Sequence, residues 1–242
     1  MTFNKVLILA LNSSTIQTEM ALIDFGTHIP KVFFEKAWVS HKDEAEKILP
    51  AIDEGLREAG MKNEDIGEIF VVNGPGAFSG LRIGVTIANA LAFSTGAKLF
   101  SCSSFELLQH KIVPTKRKET AMIIGGGGAN FALMLPGDQE PRLCEDAKEL
   151  VDTLETTKSI KFLMPDLRPY QLESLAESGK LPSPGIQFLP EKFTQKFSEA
   201  IIDLYPEKSG HNVKIIAPLY LRTPTITKSK KQNFTDGEVQ NI

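Results

Sequence analysis

The reading of the chain turns on Val71-Val72-Asn73-Gly74-Pro75-Gly76-Ala77-Phe78-Ser79-Gly80-Leu81-Arg82-Ile83-Gly84. A short β-branched run stops at Gly-Pro-Gly, and the chain then enters a segment, residues 81–93, with apolar side chains on nearly every face. Pro75 fixes its own φ, and the flanking glycines permit dihedrals that a Cβ would forbid. Ser79 is placed to accept an orphan N–H at the helix start. The pattern predicts a strand, a tight turn and a buried helix.

Upstream, residues 6–11 form an apolar run that ends at Asn12-Ser13-Ser14, and residues 18–24 and 32–39 are strand-like, with Val32, Phe34 and Trp38 in the last. Short connections suggest an antiparallel meander. Ala45, Ile48, Leu49, Ile52, Leu56 and Ala59 then recur at helical spacing, closed by Gly60. Residues 66–73 are strand, the glycine turn and apolar helix follow, and residues 98–101 make a fifth strand. The order βββαβαβ is that of the ribonuclease-H-like core used by the actin, Hsp70 and sugar-kinase superfamily. Leu81, Ile83, Val85, Ile87, Ala88, Leu91, Ala92 and Phe93 cover far more than the stripe of about 100° that a surface helix needs. Either a neighbouring helix of the same domain covers the outer face, or it belongs to a subunit interface shared with the helix at 43–59. Specific interfaces bury on the order of 800 Å² per partner, which two helices side by side can supply.

Downstream the pattern loosens. Residues 105–108 begin a short helix leading into a second lobe. Residues 121–124 form a strand ending in Gly125-Gly126-Gly127-Gly128, with residues 131–135 as its hairpin partner. The four glycines could present N–H groups to an anion. They lack the Lys-Ser/Thr ending of a P-loop and open onto a strand, so a hairpin turn is the better reading. Helix-like patterns cover 147–154, 169–178 and 191–204, with a strand at 160–164 and a Pro- and Gly-rich loop at 180–190. Residues 213–221 are apolar and return towards the N-terminal lobe. From 223 the composition is polar, with Lys228, Lys230 and Lys231, as expected of a solvated, disordered tail with at most a weak RNA contact.

With 242 residues and a formal net charge of -3, the chain offers nucleic acid no general attraction. The lone thiols Cys102 and Cys144 fit a reducing compartment. No apolar run reaches membrane-spanning length, and the first five residues lack the layout of a secretory signal, so a cytoplasmic protein without membrane contact is expected. His28, His41, His110 and His211 show no i,i+4 pairing for a helix-borne metal site. Asp24, Asp43 and Asp53 read as solvated carboxylates. Cys102 and Ser104 have no evident base partner. No catalytic, cofactor or metal constellation emerges.

The motifs also carry a resemblance. Residues 74–84 resemble the Gly-Pro-Gly-Ser-Phe-Thr-Gly-Leu-Arg-Ile-Gly signature of the TsaB family, with mild departures at Ala77 and Ser79. Ser40-His41 before Ile48-Leu49-Pro50 is similar to that family's helix opening, and Pro218-Leu219-Tyr220-Leu221-Arg222 to its closing Pro-Val-Tyr-Leu-Arg. The likeness spans residues 1 to about 112 and returns near 222. Inside the second lobe it breaks down. Gly126-Gly127-Gly128-Ala129-Asn130-Phe131 stands where relatives carry Asp-Ala-Arg and then Glu-Val-Tyr, and Leu163-Met164-Pro165-Asp166 where a Gly-Asp-Gly-like turn is expected.

The resemblance implies an α/β, actin-like (ASKHA) two-lobed fold with ribonuclease-H-like βββαβαβα lobes, the second divergent. The expected divisions are 1–104 with a return at 213–222, then 105–212, then the tail. It implies a non-catalytic subunit (YeaZ-like) that binds a TsaD-like paralogue as a heterodimer and supports transfer of threonylcarbamoyl to a tRNA adenosine. It admits a TsaE-like ATPase as a third component, a homodimer when the chain is alone, and tRNA contact mainly through the complex. The implied interface comprises His41, Ala45, Ile48, Leu49, Ile52, Phe78, Leu81, Arg82, Val85, Ala88, Asn89 and Ala92. The alternative is a stand-alone actin-like ATP-dependent phosphotransferase. Such enzymes need an acid at the end of the first strand to organise Mg²⁺, where this chain has the neutral amide of Asn12.

Overall fold

The computed structural model describes residues 7–26, 28–125, 130–177 and 185–221. Strands β1 (Leu7–Asn12), β2 (Gln17–Asp24) and β3 (Lys31–Val39) form the expected meander, with β1 antiparallel to β2 and β2 to β3. Helix α1 (Glu44–Ala59) leads to β4 (Ile66–Val72), and α2 (Phe78–Thr95) to β5 (Lys98–Cys102). Both crossovers are parallel, so the first sheet runs β3-β2-β1-β4-β5. Every residue of β1 is buried, as a central strand covered on both faces requires. Leu7, Leu9 and Leu11 point towards α1 and α2, while Ile8 and Ala10 point to the opposite face.

The second half repeats this plan. Helix α3 (Ser104–Lys111) connects to β6 (Thr120–Gly125), β7 (Phe131–Met134) and β8 (Arg142–Cys144). Then come α4 (Ala147–Thr156), β9 (Phe162–Asp166), α5 (Pro169–Glu177) and β10 (Gln187–Phe188). The strand order β8-β7-β6-β9-β10 corresponds one for one to the first sheet. The unfamiliar second-lobe sequence therefore leaves the topology unchanged. Strands β8 and β10 escape a sequence reading because three and two residues carry no measurable alternation.

Helix α3 joins the halves. Leu107 packs in the core of the first sheet, whereas Phe105, Leu108 and Ile112 pack against β6 and β7 of the second. Its Ser103 cap is a capping box: the hydroxyl accepts from Glu106 N, and the Glu106 carboxylate accepts from Ser103 N. The helix expected over 191–204 is instead a 3-10 turn (Glu191–Phe193) followed by α6 (Phe197–Lys208). The break is tertiary: Val113 N donates to Phe193 O and Gln195 N to Lys111 O, so these backbone groups are spent outside a helix. Phe197, Ala200, Ile201 and Leu204 of α6 pack on the first sheet. The expected boundary at 212 thus falls after the chain has already returned to that sheet. Residues 126–128 of the glycine loop, much of the 180–190 loop, Arg222 and the tail lie outside the described residues. Among the described residues, no helix is long and apolar enough to cross a membrane.

Candidate functional site

The turn before α2 is built by close approach. Gly74 has φ +104° and precedes a cis peptide bond to Pro75. A Cβ on Gly76 would lie 1.8 Å from Ser14 O, closer than any packing allows. Ala77 N donates to Ser14 O at 2.7 Å, and Ser13 Oγ to Gly80 O at 2.8 Å. The start of α2 is therefore pinned to the turn after β1. Ala77 is its N-cap, without a side-chain bond, and Ser79 sits exposed inside the first turn. Ser79 does not cap the helix, because backbone pairing to Ser14 fixes the entry.

That same turn closes the region where an acid would organise a metal. Asn12 Nδ2 donates to Thr15 Oγ1 at 2.6 Å and to Glu19 Oε2 at 3.0 Å. Its Oδ1 accepts from Ser14 N and Ser14 Oγ, at 3.1 and 2.8 Å. Glu19, buried, also pairs with Lys111 at 2.5 Å. Ser104 Oγ shares a 2.8 Å hydrogen bond with Ser14 Oγ. From the second sheet, Asp166 accepts from Ile16 N at 2.9 Å, and burial pushes its carboxyl up to about 6. Both thiols are also raised by burial, Cys144 to about 11 and Cys102 further, so neither is primed as a nucleophile. Asp24, expected to be solvated, is buried and accepts from Gly26 N at 2.8 Å.

The twelve residues expected at an interface divide by burial. Ile48, Ile52, Leu81, Val85 and Ala88 lie in the core between the first sheet, α1 and α2. They cannot touch a partner directly, since a helix stripe is spent either inward or outward; each larger one stabilises the fold by about 1.5–3 kcal/mol. His41, Ala45, Leu49, Phe78 and Arg82 are exposed, and Asn89 and Ala92 half-buried. Leu49 and Phe78 are 47% and 42% accessible, and Phe93, outside the expected set, is 94% accessible.

Part of the outer surface of α2 is covered by the chain itself. Residues 212–221 form a strap over β5 and α2. Asn212 Oδ1 accepts from Leu99 N at 2.9 Å, and Val213 N donates to Leu99 O at 3.0 Å. Asn89 holds the strap doubly, donating from Nδ2 to Ile216 O and accepting from Ile216 N, both at 2.9 Å. Leu219 N donates to Asn73 O at 2.7 Å, and Arg82 Nε donates to Tyr220 Oη at 2.8 Å. Asn89 is thus a strap anchor, and Asn73, Leu219 and Tyr220 join a surface that sequence reasoning assigned to α1 and α2 alone. An amide set among the apolar residues of α2 was the available signal.

Two sheets of one strand order, each flanked by helices, define the actin-like two-lobed class of α/β proteins. The family model described as "TsaD: tRNA N6-adenosine threonylcarbamoyltransferase" matches residues 38–223, and the chain belongs to that family, with the TsaB/YeaZ proteins among its relatives. The tRNA threonylcarbamoyladenosine biosynthesis protein TsaB of Bacillus subtilis is 34% identical over 101 residues, 42% of this chain and 42% of that protein. The chain therefore spans less than half of that relative. A tRNA N6-adenosine threonylcarbamoyltransferase of Ralstonia pickettii is 28% identical over 250 residues, covering 96% of this chain and 67% of the relative. Among solved structures, YeaZ from Pseudomonas aeruginosa superimposes with a TM-score of 0.61 at 19% identity, covering 89% of this chain and 100% of that one, a likeness of fold.

Proposed function

We propose that the chain is a non-catalytic subunit in tRNA threonylcarbamoyladenosine formation, and that it docks a TsaD-like transferase on the exposed side of α1 and α2. The observation that carries this reading is the division of labour on those helices. Apolar residues of both helices, among them Ile48, Ile52, Leu81 and Val85, hold the core, while Leu49, Phe78 and Phe93 remain exposed. Scattered apolar residues need no explanation, but three large ones on two adjacent helices suit a docking surface. The likeness to TsaB over 101 residues supports the pathway. Against the phosphotransferase alternative, the amide of Asn12 is committed at both ends to neighbouring side and main chain. A cytoplasmic heterodimer that contacts tRNA chiefly through its partner follows from the same reading.

The test is co-purification with the TsaD-like protein of the same genome and an assay of modified tRNA with and without this chain. Leu49→Asp and Phe78→Asp, both at exposed positions, are expected to lower complex formation at least tenfold with the fold intact by circular dichroism. Unchanged binding and unchanged modification in both variants would overturn the reading.

A further inference from the structure

Arg82, in the first turns of α2, is an exposed cation held in place by its own neighbours. Its Cζ lies 3.8 Å from the centroid of the Phe78 ring and 5.7 Å from that of Tyr220. Those two rings contact each other at 5.1 Å, and Nε donates to Tyr220 Oη at 2.8 Å. Among the described residues, no carboxylate lies within ion-pairing distance of Arg82, and its two Nη groups make no hydrogen bond. Tyr220 is itself fixed from the far end of the chain, through the bonds of Leu219 and Ile216 to Asn73 and Asn89.

We propose that Arg82 is a preset receptor for a carboxylate, the Asp or Glu side chain of the protein that docks on this face; this rests on the docking reading given above. A guanidinium presents a planar fork that matches a carboxylate with two parallel hydrogen bonds. Stacking on Phe78 and the bond to Tyr220 leave that fork already oriented, so little side-chain freedom remains to be lost on binding. An arginine set among aromatic rings is also the usual composition of an interface anchor. A protein carboxylate fits better than a nucleic-acid phosphate. Nucleic-acid surfaces neutralise several phosphates with several cations, whereas α2 carries Arg82 as its one basic residue beside exposed Phe78 and Leu219. Tyr220 is then a positioning residue, and the strap is what makes the receptor rigid.

The experiment is titration calorimetry of the full chain with the TsaD-like protein of its genome. Arg82→Glu is expected to weaken binding about 100-fold and Arg82→Lys, which keeps the charge and loses the fork, about 10-fold. Tyr220→Phe, which keeps the ring and loses the hydroxyl, is expected to weaken it about threefold. An Arg substitution at one of the partner's interface carboxylates restores binding to Arg82→Glu. Arg82 is exposed, so folding is not at issue, and circular dichroism checks it. Binding by Arg82→Glu within threefold of the unsubstituted chain overturns the proposal and leaves the docking reading standing. Unchanged partner affinity with lost tRNA retention overturns it in favour of a phosphate, and unchanged partner affinity with lost self-association in favour of a second copy. Absence of binding by the unsubstituted chain sinks both readings.

Discussion

The two sheets share one strand order and little else. Strands β1 to β5 have 6, 8, 9, 7 and 5 residues, whereas β6 to β10 have 6, 4, 3, 5 and 2. The first sheet has α1 and α2 on one face and α3 and α6 on the other, and the strap covers its β5 edge. The second has α4 and α5 on one face and, among the described residues, α3 as the one helix on the other, and it ends in the two-residue β10. Topology thus survives on a small core once central strands are apolar on both faces. The candidate docking surface, by contrast, needs the doubly covered sheet. There α1 and α2 each hold one side inward and keep large apolar residues, Leu49, Phe78 and Phe93, exposed.

The comparison breaks most sharply at Gly76. Gly76→Ala would drive a methyl into the Ser14 carbonyl, detach α2 from β1 and cost at least about 3 kcal/mol by urea unfolding. Partner binding should be lost with it. A core cut in the other sheet should separate stability from docking. Leu133→Ala, at a fully buried position of β7, is expected to cost about 2–3 kcal/mol while leaving partner affinity within threefold. Equal loss of affinity would mean that the two sheets act as one unit.

The contact between the sheets is expected to respond to pH through Asp166. Burial raises the Asp166 carboxyl from 3.8 to about 6, with Glu19 acting in the same direction and the Ile16 amide, Lys111 and Arg168 opposing it. The folded chain therefore holds this proton longer than the unfolded chain does. The stability contributed by this group is fullest below 3.8, falls as pH rises to about 6, and is level above. Asp166→Asn, which keeps an oxygen for the Ile16 amide, should stabilise the protein at pH 7 by about 2 kcal/mol and flatten the profile between pH 4 and 6. Denaturant titrations across that range check it. The smallest effect is expected at the strap. Asn89→Ala removes two hydrogen bonds to residue 216 and should cost about 1 kcal/mol. Faster amide exchange over 213–221, with the core of the first sheet unchanged, is the diagnostic.

Much of the first sheet was legible because strands of five to nine residues and two long helices repeat their pattern often enough to be read. The glycines at 74–84 were legible too, since their spacing serves a backbone approach and little else. The site was less so. Ile48 and Leu49 are neighbours in sequence, yet one is sealed in the core and the other exposed. The family resemblance placed both at an interface. The expected helix over 191–204 is broken by bonds to the end of α3 and to Val113 just beyond it, which no local pattern contains.

The βββαβαβ order, the turn that launches α2 and the neutral amide at the end of β1 are all written in local sequence. Periodicity and turn chemistry are local, and a few residues suffice to express them. Which side of α2 faces inward, the strap of residues 212–221 over its outer surface and the bond by which Tyr220 holds Arg82 come from long-range packing. Those facts join positions more than a hundred residues apart, and the hydrogen bonds and ring contacts that make them exist only once the chain has folded back on its first sheet.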